Sequence, residues 1–540
     1  MNWIKVVRCG LFFFGMILLG NSAFATTWHV RSTAACANNG NGTASTCAAS
    51  SGAAGAWSGL ANVGWSSVQP GDTVMLYGGD TYTDSLTVGK DGTGSGTTFT
   101  NPITISVENT SSGTNPAIVD QANAPSITSF NNGGHRYIVY DFLYGQAAVA
   151  DPSGTPNTNY GIQVINIGSG GDCWGDFRSG GPVRIFHLNC SGSSTGGGDM
   201  SGGIIMGSGA HEGWEIAYNW IHGTYTGATQ SLRWHATAVA LFNGGGTSSY
   251  TANLIHHNKE EYLYHDGIKC NLDCSIYNNE GRNIEGSGHS DALQCQSGTY
   301  CQIYSNYIHD NGDQSIYLDM IGSGPFAHMR IYNNLIVNSS FGSVLHPEQA
   351  DIDDLVIANN TYYNMGSQVL RKGGACSGTC PHVISNLVIL NNIIGTSGGS
   401  NKQIDFNDGD VSFLDSNSFD YDVYMTPSSA SPQIVNSAPG CAGGCSLAQI
   451  RALSPAREAN GKVANPSFVN TSTNWRLVTG DTVAGGAGRN LYSIYPYLQK
   501  DKDGNPRLSS GTWDVGAYAT SSSSGNLQPT APSGLTAVVN

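Results

Sequence analysis

A four-residue phrase recurs through the middle of the chain: IAYN at 216–219, IHHN at 255–258, IYNN at 276–279, IYSN at 303–306, IYNN at 331–334, IANN at 357–360 and ILNN at 389–392. Its isoleucines are 39, 21, 27, 28, 26 and 32 residues apart, and FHLN at 186–189 is a looser earlier copy. A period in the twenties with occasional inserts marks a solenoid, whose units are too short to bury a face alone and must stack. β-Branched and aromatic residues alternate in the phrase while Gly and Asn punctuate every unit, so the unit consists of strands. Helical periodicity is confined to short runs such as SLAQIRALS at 446–454. Units of two or three short strands stack at ~4.8 Å, and an asparagine recurring at one turn can build a hydrogen-bonded amide ladder. An all-β sandwich with Asn-rich turns is the alternative, although sandwiches do not repeat a phrase this often.

The ends carry a second signal. VQPGDTVMLYGGDTYTDSLTV at 68–88 resembles the opening coil of secreted right-handed parallel β-helix proteins of the pectin-lyase-like group. NPSFVNTSTNWRL at 465–477 and DKDGNPRLSSGTWDVGAYA at 501–519 resemble the closing segments of such proteins. The resemblance implies an all-β fold, a right-handed parallel β-helix with short capping elements over residues 26–519. DKDGN also looks like the start of a calcium loop, but it lacks the downstream glutamate and reads as a terminal turn. Residues 520–540 are a Ser-rich linker followed by TAPSGLTAVVN, which resembles the first strand of a fibronectin type III domain.

Residues 1–25 read as a secretory signal peptide: Lys5 and Arg8 are basic, 11–20 is apolar, and Ala23-Phe24-Ala25 is a small-residue cleavage site. Cleavage leaves twelve of the thirteen cysteines, an even number whose closely spaced pairs read as disulfides of an exported protein. The neighbouring pairs 270/274 and 295/301 fit bridges within a repeat or between repeats. Loss of Lys5 and Arg8 leaves 21 basic residues against 38 acidic ones, a net charge of −17. Such a surface disfavours nucleic acid and anionic membranes as partners. It also repels a polyanionic glycan unless cations or a local basic cluster intervene.

The strands preceding the phrases align as Asp266-Gly267-Ile268-Lys269-Cys270, Asp291-Ala292-Leu293-Gln294-Cys295 and Gln314-Ser315-Ile316-Tyr317-Leu318. Stacking places Asp266 beside Asp291 and makes Lys269, Gln294 and Tyr317 an outward ladder, with His265 and His289 at the turn before it. Strict alternation points both carboxylates inward with Ile268 and Leu293; a bend before the strand is needed to turn them out. The aspartates resemble the catalytic pair of polygalacturonases and their relatives, which occurs in phrases of the form D-G-I-x-I and D-x-I-x-I. This chain departs from that pattern: it has Ser290 before Asp291, Gly312-Asp313-Gln314 on the next coil, and no matching Arg-x-Lys.

Three readings follow for a polysaccharide partner. In a lyase, Asp266, Asp291 and Asp313 hold Ca²⁺, the ion acidifies the proton beside a uronate, and Lys269 is the candidate base. In a glycoside hydrolase, the aspartate pair supplies acid and nucleophile or base. In a non-catalytic surface or carbohydrate-binding protein, the Asp-Gly is only a turn. Gln294, Tyr317, Arg371, Lys372 and Trp234 are the candidate sugar-binding residues, and His346 and Glu348 extend the same groove. Ca²⁺-assisted β-elimination is the leading expectation.

Overall fold

The computed structural model describes residues 25–108, 116–143, 160–178, 181–192, 201–207, 213–226, 229–241, 253–271, 273–286, 290–296, 300–319, 326–347, 350–372, 382–397, 403–406, 417–426, 444–453 and 457–520. The chain winds through three parallel sheets in turn. Sheet 1 contains the repeated phrases, sheet 2 follows the asparagine turn, and sheet 3 completes the coil; among the described residues they have 14, 14 and 11 strands. One coil runs Cys274–Tyr277 in sheet 1, Glu280–Arg282 in sheet 2 and Leu293–Gln296 in sheet 3, after which Cys301–Tyr304 begins the next. The fold is a right-handed parallel β-helix, the hand that right-twisted strands impose on parallel crossovers. The opening coil is Thr73–Tyr77, Thr81–Tyr82 and Leu86–Thr87, one strand in each sheet. The helix expected near 446–454 is Leu447–Leu453.

The phrase explains itself position by position. Its isoleucines pair coil to coil, Ile216 on Ile255 and onward through Ile276, Ile303, Ile331, Ile357 and Ile389, and all are buried in one core. The third residue turns the chain out of sheet 1 with a positive φ: Asn278 at 55°, Asn333 at 54°, Asn359 at 54° and Asn391 at 58°. Asparagine tolerates this left-handed region better than most residues with a Cβ. The fourth residue, Asn219, Asn258, Asn279, Asn306, Asn334, Asn360 or Asn392, is buried.

Those seven side chains form the ladder. Each Nδ2 donates to the Oδ1 of the next coil's asparagine at 2.9–3.1 Å, from Asn219 to Asn258 through to Asn360 on Asn392, and Asn392 donates to Asp422. The same Nδ2 also donates to an isoleucine carbonyl one coil back, as Asn306 does to Ile276 at 3.0 Å. Each Oδ1 additionally accepts the backbone N–H of the preceding rung. Backbone groups at a buried turn would otherwise lie unpaired, which is costly.

One alignment is corrected. The earlier copy of the phrase is 185–188, not 186–189: Ile185 pairs with Ile216, and Leu188 takes the ladder position, its N–H donating to Asn219 Oδ1. Among the described residues, disulfides join Cys36 to Cys47, Cys173 to Cys190, Cys270 to Cys274 and Cys295 to Cys301. The last two lie on consecutive coils and each clips the corner between sheets 3 and 1 within a repeat. Such bonds fit an oxidising compartment. Cys376, Cys380 and Cys441 lie outside the described residues, as do most of the signal peptide and the tail beyond Thr520. Among the described residues no helix is long and apolar enough to cross a membrane.

The closing segment folds back along the outside of the coils as a strap. Asn333, Asn359 and Asn391, the outward asparagines of three late phrases, donate to the carbonyls of Lys500, Gly516 and Arg489. DKDGN is a self-satisfied turn, with Asp501 accepting from the backbones of Asp503 and Asn505 and from the Asn505 amide.

The ladder ends in a pair of acids. Asp422 accepts from Asn392, and beside it Glu458 accepts from Tyr424 at 2.5 Å. Burial pushes Asp422 up to about 7 and Glu458 well above its usual range, so the pair retains protons that the unfolded chain would release. Groups with raised folded pKa values contribute stability that is complete below the ordinary carboxylate range and is lost as pH rises through the folded value.

Two outcomes are expected. Asn306→Leu strands the Ile276 carbonyl and the donors of Asn279, and should cost about 3–5 kcal/mol in denaturant unfolding. Asp422→Asn completes the ladder with an amide that stays neutral. It should raise the melting temperature at about pH 8 and leave it nearly unchanged at about pH 4, where the wild-type acids are protonated.

Candidate functional site on sheet 3

Register in sheet 3 decides which side chains meet. Ile268, Leu293 and Ile316 pair from coil to coil and point into the core, so Lys269, Gln294 and Tyr317 stack on the outer face. Ala240 precedes them in that row, and Val344 and Arg371 follow. Outward side chains over the first coils, Ile205 and Ala240, are fully buried against each other, so the face is covered there. Along that row Lys269 and Arg371 are partly exposed, whereas Gln294, Tyr317 and Val344 are buried.

The aspartates are neighbours, but they do not face solvent. The Asp291 N–H donates to Asp266 Oδ1 at 3.0 Å, which places the two on adjacent rungs. Asp266 is 3 % exposed and Asp291 0 %. Asp266 lies before the strand Ile268–Cys270, and its Oδ2 is 3.5 Å from Nζ of Lys269 in the outer row, so its carboxylate is covered without being turned into the core. The expectation that both carboxylates face solvent is not met, because both are covered.

The calcium set also fails to assemble. Asp266 offers Oδ1 to an N–H and Oδ2 to the Lys269 ammonium at 3.5 Å, so both oxygens already face donors that a cation would have to displace. Asp313 lies partly exposed on the next coil. Among the described residues, no three His, Cys, Asp or Glu side chains gather closely enough to hold a metal. Lys269 is the ion-pair partner of Asp266, a role that suits holding a substrate carboxylate better than removing a proton.

The remaining expected residues divide. His265 lies at the turn beside Tyr264, whose ring stacks on His235 at 3.9 Å. Trp234 is not a sugar platform: it is 1 % exposed, in the core. A Cβ on Gly192 would sit 2.4 Å from its ring, so the glycine makes room for it. Arg371 and Lys372 part company. Arg371 points outward over the Phe341 ring, whereas Lys372 pairs with core residue Leu345 and takes the inward parity. His289 and Glu348 lie outside the described residues.

The sequence reading named His346 as extending the groove but missed Gln296 and Asp319 and the row that the three form. Two residues beyond the Gln294–Tyr317 row, Gln296, Asp319 and His346 form a second outward row. Tyr317 Oη lies 2.6 Å from His346 Nδ1, and that nitrogen is 3.1 Å from Asp319 Oδ1. Gln296 Nε2 donates to Asp319 Oδ2 at 2.8 Å and fixes the carboxylate. The Tyr317 and His346 rings stack at 5.7 Å. In one tautomer the Tyr317 hydroxyl donates to Nδ1; in the other, Nδ1–H points to Asp319. A phenol, an imidazole and a carboxylate sharing one proton position make an acid–base set. Its spacing was available in the sequence, since Asp319 follows Tyr317 by the two residues that return a strand to the same face.

No family model matches the sequence, and no curated protein matches it. Among solved structures the chain is similar to pectate lyase Pel9A, with 13% identity, 92% of this chain and 98% of that one covered, and a TM-score of 0.37. It is similar to XylC in complex with xylose at 9% identity, with coverage of 92% and 98% and a TM-score of 0.40. A GH136 lacto-N-biosidase from Eubacterium ramulus shares 12% identity, with coverage of 82% and 67% and a TM-score of 0.38. At that distance these likenesses carry no inference about activity.

Proposed function

We propose that the chain is a polysaccharide-acting enzyme that cleaves a uronate-containing glycan by β-elimination on the outer face of sheet 3. The observation that carries this reading is the 2.6 Å contact of Tyr317 Oη with His346 Nδ1, backed by Asp319, with Lys269 two rungs away on one side and Arg371 two rungs away on the other. Lys269 and Arg371 lie at opposite ends of this row and would hold carboxylates of different uronate units, supplying the local positive charge that an acidic chain needs to hold a polyanion. Tyr317 passes its proton to His346, whose imidazolium is stabilised by Asp319. The phenolate removes the proton at C5, the C4–O bond breaks, a C4=C5 double bond forms, and the leaving oxygen takes a proton from the same pair. Proton transfer by positioned groups of this kind is worth ~10²–10⁴ in rate. No step runs through calcium, because Asp266 already spends its oxygens on N–H donors.

The test is incubation with pectate, alginate and glycosaminoglycans while following the ultraviolet absorbance of unsaturated chain ends. Tyr317→Phe and His346→Ala should each lower kcat by about 10²–10⁴ with a smaller change in KM. A chelator should leave turnover unchanged. New reducing ends without ultraviolet absorbance would make the enzyme a hydrolase, and full turnover by Tyr317→Phe would remove this face from the chemistry.

A further inference from the structure

On the far side of the coil from sheet 3's site lies a cleft of about 1000 Å³, walled by the sheet 1–sheet 2 corner and by the strap. This size reaches the upper end of the ~300–1,000 Å³ typical of ligand pockets and suits an oligomer rather than a single ring. Along its floor, Tyr277, Tyr304 and Tyr332 stack on successive coils, their centroids 4.8 Å apart and their planes within 7°. Tyr497 of the strap closes the row at 4.9 Å from Tyr332. Trp220 and Tyr307 border the other side. The cleft therefore runs parallel to the helix axis and presents tyrosine ring edges along its floor, the ring faces being covered by their stacked neighbours.

Its position follows from the asparagine turns. On the late coils, the outward residues Asn333, Asn359 and Asn391 are covered by the strap, to whose carbonyls their amides donate. One and two coils earlier, the same turn position is Ser305 and Asn278, and both line the cleft. Asn278 is exposed, its Nδ2 engaged only at 3.2 Å with the His257 ring. The cleft is thus the strap's own docking channel continued past the strap's edge. The Tyr497 hydroxyl at its rim is buried and has no hydrogen-bond partner among the described residues. A buried hydroxyl in that state gains most from a ligand that supplies one.

Charge decides the kind of ligand. Cations and anions in the cleft alternate, with Lys259 3.8 Å from Glu280 and Lys502 3.9 Å from Asp503, so neither sign dominates. A polyanion would meet as many carboxylates (Glu280, Asp501, Asp503) as ammonium groups (Lys259, Lys500, Lys502), with no net attraction. Rings, amides and hydroxyls with balanced charge match an uncharged, hydroxyl-rich chain whose faces are apolar and whose rims hydrogen-bond.

We infer that this cleft is a second carbohydrate site, binding a neutral oligosaccharide along the tyrosine row and separate from the face proposed for cleavage. The inference stands on the cleft alone and does not require sheet 3 to be catalytic. The experiment is calorimetric titration of the full chain with cellohexaose, xylohexaose, mannohexaose, hexagalacturonate and a tyrosine-rich extended peptide. At least one neutral hexasaccharide should bind, and hexagalacturonate should not compete for the same site. Tyr497→Phe keeps the packing on Tyr332 and should weaken binding about fivefold, the loss of one hydrogen bond. Tyr497→Ala should weaken it at least tenfold, and Tyr317→Phe should bind as the wild type does. The inference is overturned if no neutral hexasaccharide binds, if binding survives Tyr497→Ala, if it is lost in Tyr317→Phe, or if the peptide alone occupies the cleft.

Discussion

Everything in this molecule depends on register, and register is held by a column of buried amides. Seven asparagines each tie the next coil to the carbonyl of the coil before, and an aspartate accepts at the end of the column, so a coil cannot slide without breaking several hydrogen bonds in a place where water cannot replace them. A slip of one residue would exchange the inward and outward faces of every strand. The isoleucine stack alone would resist that through burial; the ladder adds direction, because each amide donates one way and accepts the other.

The outer faces inherit this order. Sheet 3 presents Lys269, Gln294 and Tyr317 in one row and Gln296, Asp319 and His346 in the next only because Ile268, Leu293 and Ile316 are fixed inside. Side chains far apart in sequence thereby become neighbours at strand spacing, without any loop having to position them. On the opposite side, the left-handed turns that follow sheet 1 supply the amides that seat the strap. The same repeated phrase thus builds the core, fixes the proposed site and docks the closing segment.

Much of this was legible in the sequence, for reasons that can be located. The I-x-x-N phrase announces its own strand, turn and ladder because β-branched, positive-φ and amide requirements fall on successive residues. The Lys269–Gln294–Tyr317 row follows from alternation. The aspartates show the opposite case: no pattern in the sequence marks that both carboxylates are covered, Asp266 by its pairing with Lys269 and by the next coil's backbone N–H. Trp234 could not be read, since its burial depends on the missing side chain of Gly192, some forty positions away. FHLN misled by one residue because an asparagine follows the true ladder position at Leu188. The strap contacts join Asn333 to residues more than 160 positions later, and no local pattern marks them.

Neutron diffraction from crystals grown with a bound uronate oligosaccharide tests the central claim most directly, since it locates both the coil register and the proton on the Tyr317–His346 pair. The account predicts Tyr317 on the outer face, a proton between Oη and Nδ1, Asp319 turned toward the imidazole, and a sugar carboxylate against Lys269. A coil displaced by one residue, with Tyr317 turned into the core, or a uronate chain bound away from sheet 3, would contradict it.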